Sequence, residues 1–325
     1  MSARAALRVG TRGSALALWQ TERIRELLAA AGHDTERVEI RTTGDMVQGV
    51  PLARIGSVAL FTRQIDEAML AGRIDLAVHS LKDLPTELSR GIVIAAVAER
   101  EDSRDALVAR ETIRWGDLPR GATVATSSLR RRAQLLHARP DLQVADVRGN
   151  VDTRLARLDR EEGWAAMLLA AAGLLRLGLG HRIGERLPPD LMLPAPGQGA
   201  LAVTARADDA AAIAAARAVV HHGPTAIAVS AERAFLGRLE GGCQVPVAAQ
   251  ATLHPAGGDR ELRLQGRVIS LGGERIAQGL ERGAVRSPEE AERLGVLLAE
   301  RLLGEGAAGI LAEVRAGVAP VVSEP

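Results

Sequence analysis

The chain has 325 residues, with 41 lysines and arginines against 40 acidic residues, a net charge of +1 and 47% hydrophobic residues. These are the values of a folded globular protein long enough for two or three domains, and they exclude a disordered, collagen-like or fibrous chain. Balanced charge argues against a general polyanion binder, and an aromatic content of 2% argues against a stacking platform for single-stranded nucleic acid. No apolar run reaches the roughly 18–20 residues that span a bilayer. The start, MSARAALRVG, lacks the apolar core of a signal peptide, so a cytoplasmic location is expected. Lys82, Asn150 and Cys243 are each the only residue of their type. A single cysteine excludes an internal disulfide and a multi-cysteine metal site, and no metal is expected.

In chain order, short apolar runs alternate with helical periodicity. Ala6–Gly10 reads as a strand and Ser14–Ala31 as a helix with Ala17, Ile24, Leu28 and Ala31 on one face. Val38–Thr43 (strand), Phe61–Ala71 (helix), Ile74–His79 (strand) and Gly91–Val97 (strand) follow. The charge cluster from Glu99 to Asp105 has no periodicity and reads as a crossing between domains. A second set comprises strand Ala122–Thr126, a helix over 128–138, strand Leu142–Val147, helix Thr153–Arg160 and strand Ala165–Ala170. This alternation predicts parallel sheets with right-handed crossovers. Prolines at 188, 189, 194 and 196 mark a second crossing, after which Leu201–Ala205 returns to the first sheet. Beyond Val220 the pattern changes to a smaller α+β domain: helix Thr225–Leu239, strands Val247–Leu253, Glu261–Ser270 and Arg275–Leu280, and helix Pro288–Leu303 capped by Ser287. The expected division is 1–98 with 197–218, 99–196, and 219–325.

Several strand-to-helix turns carry groups suited to anions. Thr11-Arg12-Gly13-Ser14 could hold an anion, but by itself is better explained by an ordinary strand–helix turn capped by Ser14. Thr126-Ser127-Ser128-Leu129-Arg130-Arg131-Arg132 is a stronger candidate, balanced against a capped helix with a solvated basic face. Arg148-Gly149-Asn150 and Arg154 open a third helix. Three arginine-bearing turns at the carboxyl ends of strands point to a polyanionic ligand in a cleft between two α/β lobes. Lys82-Asp83 follows another strand end, where a carboxylate could serve as general acid/base, or simply shape the turn before Pro85. Cys243, in Gly-Gly-Cys-Gln-Val-Pro, is either an accessible thiol or a small buried apolar residue.

Taken together, seven segments resemble the porphobilinogen deaminase (hydroxymethylbilane synthase) family, in order and spacing, over about residues 7–315. They are Thr11–Ser14, His79-Ser80-Leu81-Lys82-Asp83-Leu84-Pro85, Glu99–Asp102, Thr126–Arg131, Arg148–Val151, Leu193-Pro194-Ala195-Pro196-Gly197-Gln198-Gly199 and Glu240–Pro246. The resemblance implies two periplasmic-binding-protein-like α/β lobes plus a smaller α+β domain carrying the cysteine. It implies the head-to-tail joining of four porphobilinogen molecules, with loss of ammonia, into hydroxymethylbilane for tetrapyrrole (heme) biosynthesis. It implies a dipyrromethane primer bound through a thioether to Cys243, with Lys82, Thr126, Ser127, Ser128, Arg130 and Arg131 around it. Asp83 would be catalytic, stabilising the cation left by ammonia and moving protons. Arg12, Ser14, Phe61, Ser80, Arg148, Arg154, Arg176 and Gln198 would bind substrate. A monomer is implied, with product passed to uroporphyrinogen-III synthase.

One segment departs from the family. Where Gly-Gly-Lys-Gly-Leu-Phe is usual, this chain has Gly56-Ser57-Val58-Ala59-Leu60-Phe61. Residues 46–60 would form a lid, and its closure would then rest on Arg54 and Arg63. The alternative to an enzyme is a non-enzymatic two-lobed anion-binding module, which needs neither Asp83 in the cleft nor Cys243. An arginine-rich nucleic-acid binder would need excess positive charge and exposed aromatics, and has neither.

Overall fold

The computed structural model describes residues 6–42, 62–239, 245–256 and 259–318. They form three sheets, two of five strands and one of three. The first sheet has the order β2-β1-β3-β10-β4, from β1 (Leu7–Thr11), β2 (Thr35–Glu39), β3 (Leu76–Ser80), β4 (Ile92–Val97) and β10 (Leu201–Arg206). The second has the order β7-β6-β8-β5-β9, from β5 (Asp105–Val108), β6 (Thr123–Ala125), β7 (Gln143–Ala145), β8 (Ala166–Ala170) and β9 (Ile183–Arg186). Both follow one plan. Three parallel strands are joined by helices, and a fourth strand lies antiparallel between the third and the edge.

The purely parallel sheets expected from the β/α alternation are therefore corrected to mixed ones. The reason is the route of the chain. Strand β5 arrives straight from the first lobe and β10 straight from the second. Each enters its sheet from the end where the parallel strands finish, so it must run against them. Five strands and helices were not expected from the sequence: β5, β9, and the helices Ala171–Arg176, Ala210–Val220 and Ala308–Val318. Strands β5 and β9 are only four residues each, and the helix at Ala171–Arg176 spans six.

The helices are α1 (Ala15–Ala30), α2 (Arg63–Leu70), α3 (Leu129–Ala138), α4 (Val151–Arg160), α5 (Ala171–Arg176), α6 (Ala210–Val220), α7 (Gly223–Arg238), α8 (Pro288–Leu302) and α9 (Ala308–Val318). Helix α1 buries Ile24 and Leu28 on the first sheet with Leu76, Val203 and Ala216. The second lobe closes over Leu155, Leu158, Trp164, Met167 and Leu174. The third sheet, β11 (Val247–Ala256), β12 (Asp259–Ile269) and β13 (Ile276–Val285), is an antiparallel meander. Its strands extend beyond the periodic segments because cross-strand pairing, not alternation, carries their ends. Phe235 of α7 and Leu298 and Leu302 of α8 are fully buried in its core with Leu262 and Leu264. Among the described residues no helix is long and apolar enough to cross a membrane.

His79, on the buried strand β3, is 6% exposed, and its Nε2 meets Thr204 Oγ1 of β10 at 3.1 Å. Burial, helped by the Arg12 charge, lowers its pKa from 6.5 to about 4. Below pH 6.5 the unfolded chain takes up a proton that the folded one refuses until about pH 4. Stability present above pH 6.5 is therefore lost as pH falls through that window, by about 3 kcal/mol for this group. Urea titrations of wild type and His79→Gln between pH 7 and 4 check this: the variant should lose correspondingly less stability on acidification.

Candidate active site

The arginine-bearing turns acquire their geometry from helix capping. Helix α1 starts at Ser14, whose Oγ accepts the Ala17 N–H at 3.3 Å. This sets Arg12 at the end of β1. Helix α3 starts at Ser128, whose Oγ accepts the Arg131 N–H at 3.4 Å, and whose own N–H donates to Thr126 Oγ1 at 3.2 Å. Ser127 Oγ donates to the Val147 carbonyl and accepts its N–H, which binds this turn to the next one. That next turn leads through Arg148 and Gly149 to α4. Gly149 has φ +107°, and a Cβ there would lie 2.8 Å from Thr153 Cγ2, so glycine is required. Its carbonyl accepts Arg154 Nε at 2.8 Å.

Lys82 and Asp83 lie in a single turn of 3₁₀ helix, Leu81–Asp83, directly after β3. Ser80, the last residue of β3, shares two hydrogen bonds with the buried Gln20 of α1. Lys82 Nζ donates to Gln198 Oε1 at 3.3 Å. Desolvation, then the like charges of Arg131 and Arg130, oppose Asp83 and Asp105 and bring the Lys82 pKa down to about 8. The electrostatic neighbours show what tertiary structure assembles. Lys82 of the first lobe lies within electrostatic reach of Arg130 and Arg131 of the second, and Asp83 within reach of Arg154. Arg154 is desolvated and crowded by Arg131 and Arg148, with Asp83 opposing, so its pKa falls to about 10.

Behind this face stands a carboxylate that lies outside the seven segments. Asp105, fully buried, receives Arg130 Nη1 on one oxygen at 2.7 Å and Arg131 Nε and Nη2 on the other at 2.9 and 2.7 Å. Gln198 Nε2 donates to it at 3.0 Å and to the Ser103 carbonyl at 2.7 Å. Burial alone would raise the Asp105 pKa, but the two guanidinium charges overcome it and hold the group well below the usual carboxylate range. Asp105 was read as part of a crossing. Its signal was a lone carboxylate at the head of the apolar run Asp105-Ala106-Leu107-Val108.

A second buried carboxylate, Glu232 of α7, joins both crossings to the third sheet. It pairs with both arms of Arg100 at 2.6 and 3.1 Å and accepts the Gly197 and Ala251 N–H groups, each at 2.7 Å. The two crossings run side by side here. Gly199 has φ +89°, and a Cβ would come within 2.4 Å of the Glu101 carbonyl.

The expected site residues thus fall into groups. Thr126, Ser127, Ser128, Arg148 and Arg154 build the second-lobe wall, and Lys82, Asp83 and Ser80 the first-lobe wall. Arg12 and Ser14 lie at the start of α1, with the Arg12 charge acting on His79. Arg130 and Arg131 are buried and committed to Asp105 and to the Leu193 and Leu168 carbonyls. Gln198 is 1% exposed and bridges Lys82 to Asp105. Arg176 donates to the Gly199 carbonyl at 2.6 Å and lies over the Trp19 ring at 6.0 Å, between the lobes. Cys243, Phe61, Arg54 and the rest of 46–60 lie outside the described residues. Arg63 pairs with Glu67 on its own helix at 3.0 Å. No metal-holding group of three or more His, Cys, Asp or Glu occurs among the described residues.

A dipyrromethane carries carboxylates on each pyrrole, and the donor set suits it. Several cations press on one another here and are opposed nearby by Asp83 and Asp105. Carboxylates would relieve that repulsion, and guanidinium forks match their geometry.

Fold and site together define a two-lobed α/β protein that gathers cations around one carboxylate, with a third α+β unit joined at the crossings. A family model for the porphobilinogen deaminase dipyrromethane cofactor binding domain matches residues 7–214, and one for the porphobilinogen deaminase C-terminal domain matches 226–304. The porphobilinogen deaminase of Moorella thermoacetica is 49% identical over 312 residues, covering 95% of this chain and 97% of that protein. That of Geobacter metallireducens is 49% identical over 310 residues, covering 95% and 94%. Among solved structures, a methionine binding protein, MetQ, aligns with 66% of this chain and 89% of its own at 12% identity and a TM-score of 0.41. The chain belongs to the porphobilinogen deaminase family.

Removing one partner from a buried ion pair strands the other charge. Asp105→Ala should therefore lower unfolding stability by roughly 3–5 kcal/mol, read by urea denaturation at pH 7. A change under about 1 kcal/mol would show that Asp105 does not hold the arginine pair together.

Proposed function

We propose that this chain performs the reaction for which its family is named. Four porphobilinogen molecules are condensed head to tail, with loss of ammonia, to linear hydroxymethylbilane in tetrapyrrole biosynthesis. The observation that carries this is Asp83, a carboxylate next to Lys82 in one lobe and within electrostatic reach of Arg154 in the other. A module that only bound anions would have no use for a negative charge there.

In this reading Arg12, Arg148, Arg154 and Lys82 take the acetate and propionate groups of the pyrroles, with Ser14, Ser80, Thr126, Ser127 and Ser128 adding hydroxyl donors and the helix starts adding N–H groups. Arg130 and Arg131 supply positive potential from behind, Arg176 and Gln198 act where the crossings meet the cleft, and Phe61 packs on a ring. Dipyrromethane, when bound through Cys243, supplies the pyrrole carbon to which the first substrate unit is joined. Asp83 faces the pyrrole N–H groups. Its carboxylate stabilises the cation left when ammonia leaves the substrate aminomethyl group and accepts the proton lost from the ring carbon that forms the new bond. Residues 1–98 with 197–218, 99–196 and 219–325 act as three domains. The protein works as a cytoplasmic monomer and passes its product to uroporphyrinogen-III synthase. Lid closure over residues 46–60 depends on Arg54 and Arg63 in place of the family lysine.

Intact-mass measurement tests the reading. Protein from cells that make porphobilinogen should carry a covalent increment of two linked pyrroles, absent from Cys243→Ser; an unmodified wild-type chain would overturn it. Asp83→Ala should keep the increment yet lose roughly 10²–10⁴-fold in turnover, the range for removing a positioned acid/base or charge stabiliser. Near-normal turnover would remove Asp83 from the chemistry.

A further inference from the structure

Gln134 and Arg267 belong to none of the seven motifs, yet they join the third sheet to the helix that carries the site's arginine pair. Gln134 lies one turn beyond Arg130 on α3 and is 2% exposed. Its Oε1 accepts the Leu193 N–H at 2.9 Å and Arg267 Nη1 at 3.0 Å, and its Nε2 donates to the Leu193 carbonyl at 3.0 Å. All of its strong hydrogen-bonding capacity therefore goes to the second crossing and to β12. The same Leu193 carbonyl accepts Arg130 Nη1 at 2.7 Å. From Arg267 the hydrogen bonds run without a break through Gln134, Leu193, Arg130, Asp105 and Gln198 to Lys82, beside Asp83.

Arg267 is half-buried on β12, and its second arm donates to the Asp190 carbonyl of the crossing at 3.1 Å. A second grip lies one turn further along α3. His137 Nδ1 meets the Gly273 carbonyl at 2.8 Å, where the β12–β13 turn comes so close that a Cβ on Gly273 would lie 2.4 Å from the His137 nitrogen. The third unit thus holds α3 at its middle and its end, while the start of α3 presents Ser128, Arg130 and Arg131.

We infer that Arg267 and Gln134 are positioning residues: they lock α3, and with it the Arg130–Arg131–Asp105 cluster, to the domain that carries Cys243. The positive potential that the arginine pair supplies from behind the cleft is then fixed relative to the third sheet. Without Arg267, the third unit keeps only its His137–Gly273 grip at the end of α3, and the middle of the helix, with the arginine pair, is free to shift relative to the third sheet. The kinetic part of the inference rests on the proposed activity; the coupling between β12 and α3 does not.

Arg267→Ala, Arg267→Lys and a control, Arg275→Ala, are the variants to compare. Arg275 lies on the same sheet's edge and pairs with Glu313 inside the third unit. Losing a charged hydrogen bond of this kind should raise the KM for porphobilinogen roughly tenfold in Arg267→Ala while kcat changes by less than about threefold. The dipyrromethane mass increment should be retained, and partly elongated chains should accumulate in intact-mass spectra at limiting substrate. Lysine, which restores one donor to Gln134, should recover part of the KM, and Arg275→Ala should match wild type. Independently of activity, amide hydrogen exchange over 129–138 should quicken severalfold in Arg267→Ala, with β11–β13 unchanged. Unchanged KM and unchanged α3 exchange would overturn the inference, as would uniform quickening across all three sheets. Should wild type itself fail to consume porphobilinogen, the proposed function falls, and the exchange result alone upholds or overturns the coupling.

Discussion

The site depends on one buried carboxylate. Two guanidinium groups on adjacent residues of one helix, both only 5% exposed, repel each other and lose their hydration. Asp105 offsets both costs, giving one oxygen to Arg130 and the other to Arg131. Because it heads β5 at the end of the first crossing, the arginine pair is fixed to the crossing as much as to its own helix. Gln198 of the second crossing completes the arrangement, and Lys82 closes it from the other lobe. Glu232 repeats the device a short way off, taking Arg100 and two backbone N–H groups from different parts of the chain. Buried charges of this kind are not an efficient source of stability, since apolar packing of equal volume does as well. What they supply here is contact between units, since Asp105 and Glu232 each take donors from distant parts of the chain.

That arrangement explains the electrostatics of the cleft. Burial first, and then the neighbouring guanidinium charges, make Lys82 and Arg154 give up part of their affinity for protons, with Asp83 opposing. Ligand carboxylates recover this energy on binding. Arginine suits the task because it stays charged under such crowding, whereas lysine is driven toward neutrality. The single lysine sits where the crowding from the second lobe meets Asp83, which is where a proton-sensitive cation has most effect.

Much of the site was legible in the sequence because its parts are local. Ser14 and Ser128 act as helix caps within four residues of the groups they align, and Gly149 meets a backbone demand that only glycine satisfies. The strands that were visible are those whose length or burial leaves a pattern. Strands β5 and β9 are too short for that, and the mixed direction of both sheets comes from crossings whose geometry no window of sequence contains. Arg176 shows the same limit. The family resemblance implies a ligand contact, and the structure adds that its guanidinium lies against the Gly199 carbonyl and Trp19 of other elements.

By itself the sequence determined most of the longer elements, the caps at Ser14 and Ser287, the arginine-bearing turns, Lys82-Asp83 and, through the spacing of seven motifs, the family. These follow from interactions between residues a few positions apart, which spacing records. Only the tertiary structure decided which cations face Asp83 and which are held behind it. It alone assigned Asp105, Glu232, Gln134 and Arg267 to the joints between units. Those four act across 19 to 133 positions of chain, through contacts that exist only after the sheets have docked.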